Sequence, residues 1–286
     1  MVLGLWSSVL LKAQRRKSKD QRPKTKAQSP MLLATWNVNS VLARMPSVIR
    51  WIDDVKPDVL CMQETKCTDD KFPTLIFQER GYQCQLFGQQ SYNGVAILTR
   101  DVCDTRHRGY PGDDETAQSR LITTTVNGID IVNVYIPNGQ KVGSDKYEMK
   151  LNWMRRLREF FDAHYKTGQQ VLLCGDFNVA PEDRDVHNPK LCADRVLFSE
   201  PEREALQTIK DWGFVDAFRL HNNEAKQYSW WDYRNASFKR NLGLRIDHIW
   251  TSKRLGERTT AAAIDKTPRA WERPSDHAPV IVEIKM

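Results

Sequence analysis

From Met31 onward the chain returns again and again to short runs of Val, Ile and Leu, at residues 32–36, 59–62, 95–98, 121–126, 129–135, 171–174, 246–250 and 280–284. Apolar runs this short, rich in β-branched residues, read as strands rather than buried helices. Between them lie helical patterns: Leu151, Met154, Leu157 and Phe161 recur at spacings of three and four across residues 144–166, and residues 201–212 open with Pro and acidic residues and stop at Gly213. Strand and helix do not alternate strictly. Asn127-Gly128 alone separates two of the runs, a hairpin signature, and several other strands have no helix between them. This order predicts an α/β sandwich with mixed sheets rather than a barrel or a dinucleotide-binding fold. The 286 residues are within what one large domain can hold.

Charge divides the chain at one place. Of 43 Lys/Arg and 36 Asp/Glu, the first 30 residues hold eight basic and one acidic, which leaves 35 of each for residues 31–286. The net charge of +7 therefore belongs to the leader, and a nucleic-acid-binding face in the rest must come from segregation of charge rather than excess. The leader starts apolar and turns Lys/Arg/Gln/Ser-rich, a composition that cannot bury a core. Residues 1–30 are expected to be a basic disordered leader or a mis-assigned start, and 31–286 the folded domain. An organellar transit peptide and a DNA-binding arm both fit the leader; a secretory signal does not, because the charges follow the apolar part. If the source is bacterial, the protein is expected to be cytoplasmic and nucleoid-associated. No apolar run approaches the roughly 18 residues of a membrane helix. Six cysteines without a C-x-x-C pair point to a reducing compartment, without disulfides or zinc.

Groups able to do chemistry cluster at the exits of the strand-like runs, where loops on a rigid scaffold build sites. They are Trp36-Asn37-Val38-Asn39, Gln63-Glu64-Thr65-Lys66, Tyr135-Ile136-Pro137-Asn138, Gly175-Asp176-Phe177-Asn178, Arg245-Ile246-Asp247-His248 and Ser275-Asp276-His277. Each has an ordinary alternative: turn-forming asparagines, a Glu64–Lys66 surface ion pair, an Asx-turn at Asp176, a capped loop at Asp-His. Together they supply carboxylates suited to a hard divalent cation or to proton transfer, with a histidine, a tyrosine and several amides.

The segments WNVNS, QETKC, YIPNG, GDFNVAPEDRDV, YSWWDYR, NLGLRIDHIW and PSDHAPV resemble the exonuclease III branch of the endonuclease/exonuclease/phosphatase superfamily, over residues 31–286. The resemblance implies a DNase I-like, four-layer α/β sandwich, with two mixed sheets packed face to face and helices outside. It implies a DNA repair nuclease using Mg²⁺, with Mn²⁺ as substitute, on double-stranded DNA carrying abasic sites or 3′ ends, acting as a monomer without a membrane. Glu64 would be the main metal ligand, with Asn39 and Asp276 near it and Asp176 and Asn178 in the same set. His277 would bond a phosphate oxygen or take part in proton transfer, with Asp247 fixing its tautomer. Asp176, oriented by Asn178, would deprotonate the attacking water or protonate the leaving oxygen. Tyr135, Asn138 and Asn37 would hold the phosphate. Trp230, Leu244 and Ile246 would wall a pocket for a flipped abasic sugar. Arg44, Lys66, Arg234, Lys239 and Arg240 are candidates for DNA-backbone contacts. Two other readings compete: a lipid or RNA phosphodiesterase of the same superfamily, and a noncatalytic nucleic-acid-binding regulator.

Overall fold

The computed structural model describes residues 29–286; most of the expected leader lies outside the described residues. Among the described residues there are twelve strands: β1 (Met31–Asn37), β2 (Val59–Gln63), β3 (Gln83–Phe87), β4 (Val95–Thr99), β5 (Asp104–Arg108), β6 (Leu121–Val126), β7 (Ile129–Tyr135), β8 (Val171–Asp176), β9 (Phe214–Asp216), β10 (Asp247–Ser252), β11 (Thr259–Ile264) and β12 (Val280–Ile284). They form two six-stranded sheets, ordered β11-β12-β1-β2-β4-β3 and β5-β6-β7-β8-β10-β9. Both are mixed. At the centre of each sheet one pair runs parallel, β1 with β2 and β7 with β8, and the remaining pairs are antiparallel.

Alternation along each strand sets the layers. Leu33, Cys61, Ile97, Ile131, Leu172, Cys174 and Val282 point between the sheets and form one core. Their neighbours Ala34, Trp36, Leu60 and Met62 point outward onto helix α1 (Met45–Val55). On the far side Val132, Val134 and Leu173 meet helix α2 (Asp145–His164) and helix α3 (Glu200–Lys210). The result is the expected helix–sheet–sheet–helix sandwich.

Local sequence explains these elements. In α1 the buried Val48, Trp51, Ile52 and Val55 repeat at spacings of three and four, with Pro in the first turn. Ser144 caps α2 by accepting from the Tyr147 N–H. A Ser199–Glu202 capping box starts α3, an arrangement worth about 1 kcal/mol. The Asn127-Gly128 hairpin is present, with φ of 51° and 75° at the two positions, as a type I′ turn requires.

A polar seam ties the sheets together near one end. Gln63 Nε2 donates to Thr35 Oγ1 (2.8 Å) and Asn133 Oδ1 (2.6 Å). Asn133 Nδ2 donates to the carbonyls of Met62 and Ala96, each at 3.0 Å. All three side chains are fully buried, so these bonds fix the spacing of the sheets where their strands end.

Candidate active site

The two central parallel pairs finish at this same end. Asn37 is in register with Gln63, and Tyr135 with Asp176. Because β10 runs antiparallel to β8, its first residue Asp247 lies opposite Asp176. β12 runs antiparallel to β1, so Asp276 and His277, just before it, arrive at the same edge. Asp276 and His277 lead into the last strand, as the sequence suggests, and Asp247 opens β10; antiparallel pairing brings these entries beside the exits of the parallel pairs.

The chain turns sharply where it leaves β2 and β8. Glu64 and Asn178 take φ of 51° and 50°, and Asn39 and Lys66 take 45° and 53°. Non-glycine residues with positive φ cost about 1 kcal/mol or more each and gather where a site needs them.

Asn37 joins the two sheets chemically. Its Nδ2 donates to Glu64 Oε1 (2.8 Å) and to Asp176 Oδ2 (2.9 Å), and its Oδ1 accepts from the Asn39 N–H (3.0 Å). Both amide hydrogens are given to carboxylates, which leaves none for a phosphate. The Asn37 amide thus bridges the Glu64 and Asp176 carboxylates. Asp176 Oδ1 accepts from the Asn178 N–H at 2.9 Å, and Asn178 Oδ1 accepts from Asn138 Nδ2 at 3.1 Å.

His277 donates from Nδ1 to Asp247 Oδ2 at 2.9 Å and presents Nε2 3.7 Å from Asp176 Oδ2. Ser275, to which the sequence assigns no role of its own, fastens this segment: its Oγ donates to the Asn37 carbonyl (2.7 Å) and accepts from the His277 N–H (3.2 Å). Glu64, Asp176 and His277 each offer a ligand atom, all within 4.8 Å of one another. Burial disfavours the charged imidazolium, but the carboxylates of Asp247, Asp176 and Asp276 outweigh it and lift the His277 pKa to about 10. Burial, against the pull of His277, pushes Asp176 up to about 7. Glu64 stays below the usual range despite burial, held down by Lys66 and Asn37.

Asp276 is placed apart from this cluster. Its Oδ1 accepts from Asn39 Nδ2 (2.9 Å) and its Oδ2 from Trp230 Nε1 (3.0 Å). Lys66 Nζ lies between Glu64 Oε2 and Asn39 Oδ1, 2.6 Å from each, and its ammonium links the expected ligands. Tyr135 carries the Arg120 guanidinium 4.5 Å from its ring centre. Arg120 was not singled out in the sequence, where nothing distinguishes a buried arginine from a surface one.

Trp230, Leu244 and Ile246 pack in one cluster with Val186 and Phe198. Leu244 and Ile246 are 7% and 1% exposed, so Trp230 is the accessible part of that wall. Among the expected DNA-contacting cations, Arg44 Nη2 donates to the Tyr233 hydroxyl at 3.1 Å. Arg234 pairs with its neighbour Asp232 at 2.6 Å, and Lys239, Arg240 and the expected phosphate ligand Asn138 are exposed.

Residues 34–277 match the Endonuclease/Exonuclease/phosphatase family. Exodeoxyribonuclease III of Haemophilus influenzae is 35% identical over 267 residues, covering 89% of this chain and all of that protein. The solved structure of an AP endonuclease from Archaeoglobus fulgidus superposes with a TM-score of 0.85 at 38% identity, over 90% of this chain and 100% of that one. A Neisseria 3′ phosphatase bound to product DNA hairpin gives 0.86 at 41%, with the same coverage. The chain belongs to the endonuclease/exonuclease/phosphatase family of hydrolases, in its exonuclease III branch. No helix among the described residues is long and apolar enough to cross a membrane.

Proposed function

We propose that this protein is a divalent-metal-dependent DNA repair nuclease, which cuts the phosphodiester 5′ to abasic sites in duplex DNA and also acts on 3′ ends. The observation that carries this reading is the meeting of Glu64, Asp176 and His277 within 4.8 Å at the joint end of the two sheets. The donor set fits a hard cation such as Mg²⁺: carboxylate oxygens on Glu64 and Asp176, with the Asn39 amide oxygen next to Glu64 through Lys66. When bound there, the ion would neutralise charge growing on the phosphate and favour ionisation of a water.

The remaining steps belong to the chain's own groups. His277, kept protonated by Asp247, donates from Nε2 to a non-bridging phosphate oxygen and spreads the charge of the pentacoordinate state. Asp176 exchanges a proton, either accepting it from the attacking water or giving it to the leaving 3′ oxygen. In the metal-free protein burial lifts its pKa to about 7, where either transfer is open. The Tyr135 hydroxyl and the Asn138 amide contact the phosphate. Trp230, with Leu244 and Ile246 behind it, bounds a small apolar pocket that accepts a sugar lacking its base and rejects an intact nucleotide by size.

An end-labelled duplex with one abasic analogue, incubated with Mg²⁺ or excess EDTA, tests this reading. Incision 5′ to the lesion with Mg²⁺, lost in EDTA and reduced by orders of magnitude in Glu64→Ala and His277→Ala, supports it. A wild-type protein that binds the duplex and leaves it whole with every divalent metal overturns it. The 41% identity to a structure titled as a 3′ phosphatase favours 3′-end cleaning as a second activity, read from release of phosphate from a 3′-phosphorylated nick.

A further inference from the structure

A charged pair lies completely buried beneath the site: Lys150 of α2 and Glu202 of α3, each side chain 0% exposed. Lys150 Nζ donates to the carbonyl oxygens of Asn178 (2.7 Å) and Asn138 (3.2 Å) and to Glu202. The three ammonium hydrogens thus have three acceptors, two of them on the loops that leave β7 and β8. Glu202 is equally well supplied: it accepts from the backbone N–H of Leu197 and of Ser199, each at 3.0 Å, and from Ser199 Oγ at 2.6 Å. The Asn138 loop is packed tightly on the lysine stem, since a Cβ at Gly139 would come 3.1 Å from Lys150 Cδ.

A buried ion pair is a poor way to gain stability, because desolvation consumes most of the attraction and an apolar pair of similar volume often does as well. What an apolar pair lacks is the two bonds to backbone carbonyls. Those carbonyls belong to the residues whose amides meet at 3.1 Å, and Asn178 holds Asp176 through its own N–H. We infer that Lys150, secured by Glu202, is a positioning residue that fixes the Asn138 and Asn178 loops and, through Asn178, the carboxylate of Asp176. The inference rests on the proposed role of Asp176 in phosphodiester cleavage. A sequence signal exists: Lys150 stands in the buried stripe of α2, between Tyr147 and Met154.

The test compares the full chain with Glu202→Gln and with the paired change Lys150→Met, Glu202→Leu. Glu202→Gln leaves Lys150 its two carbonyl bonds; the paired change fills the volume and removes them. Steady-state kinetics on the abasic duplex and amide hydrogen exchange over residues 136–139 and 177–180 are measured together. The paired variant is expected to lose about 30-fold or more in kcat with KM within about threefold, and to exchange faster in both loops. Glu202→Gln should keep slow loop exchange and stay within about tenfold of wild-type kcat, even where its Tm falls. Loop exchange and kcat moving together while Tm does not follow them supports positioning. A paired variant with wild-type loop exchange, or with fast loops and wild-type kcat, overturns it. If the paired variant does not fold, Glu202→Gln decides: protected loops support Lys150 as the anchor, and loops exchanging freely overturn it. Wild-type protein that cuts no duplex sinks the nuclease reading, whereas the exchange measurement still judges the anchor.

Discussion

His277 Nδ1 lies 2.9 Å from Asp247 Oδ2, with both side chains at most 5% exposed, and this carboxylate, with those of Asp176 and Asp276, favours the charged form of a ring that burial alone would keep neutral. The carboxylate fixes which ring nitrogen faces Asp247 and leaves Nε2 directed at the site. Asp247→Asn keeps the shape and removes the charge. It is expected to lower kcat about 10²- to 10³-fold with a smaller change in KM, measured by steady-state cleavage of the abasic duplex. A kcat within threefold of wild type would show that the imidazolium is not needed.

The pH dependence follows from two shifted groups. Asp176 is deprotonated above about 7 and His277 is protonated below about 10. If Asp176 serves as the base, kcat/KM should rise through the first value and fall through the second. In stability the His277 term has one sign: its pKa is raised in the folded state, so its contribution is complete below about 6.5 and is lost as pH rises through about 10. Urea unfolding across pH 6.5 to 10 should show that decline, and His277→Gln should flatten it.

Lys66 Nζ lies 2.6 Å from both Glu64 and Asn39, so if a divalent ion is held there as proposed, it has to displace this ammonium. Calorimetric titration of DNA-free protein with Mn²⁺ should show several-fold tighter binding in Lys66→Met than in wild type, and none in Glu64→Gln. Unchanged affinity in Lys66→Met would place the ion away from Glu64.

Asn37→Ala should loosen the site and the fold together. It removes donors to two carboxylates that belong to different sheets, and hydrogen bonds to charged groups are worth about 1.5–3 kcal/mol each. We expect a loss of about 2 kcal/mol or more by chemical denaturation and a kcat about tenfold or more lower. A variant of wild-type stability would mean that Glu64 and Asp176 find other donors.

Gly175 has no permissible substitute. It sits in β8 with φ of 140°, and a Cβ there would lie 1.9 Å from the Val134 carbonyl oxygen, inside the β7–β8 pair that delivers Asp176. Gly175→Ala should cost about 3 kcal/mol or more, read as a lower denaturation midpoint. A soluble variant of unchanged midpoint would refute this account of the close approach.

The sequence by itself determined the inner structure of both sheets. The eight apolar runs correspond to β1, β2, β4, β6, β7, β8, β10 and β12, all of them flanked by a strand on each side. Such strands are covered on both faces, so most of their positions are apolar and the signal is local. The four strands it missed, β3, β5, β9 and β11, are the four sheet edges. β3 and β5 are largely half-buried or exposed, β9 has three residues, and solvated edges carry polar residues that read as loops. The chemical residue types were equally legible at the ends of the apolar runs. What only the tertiary structure decided is which atoms meet. The Asn37 bond to Asp176 spans 139 positions of chain, the antiparallel entry of β12 delivers His277 beside it, and α2 and α3 close Lys150 on Glu202. Each contact depends on two sheets packing at one spacing, a property of the whole core that no local stretch of sequence specifies.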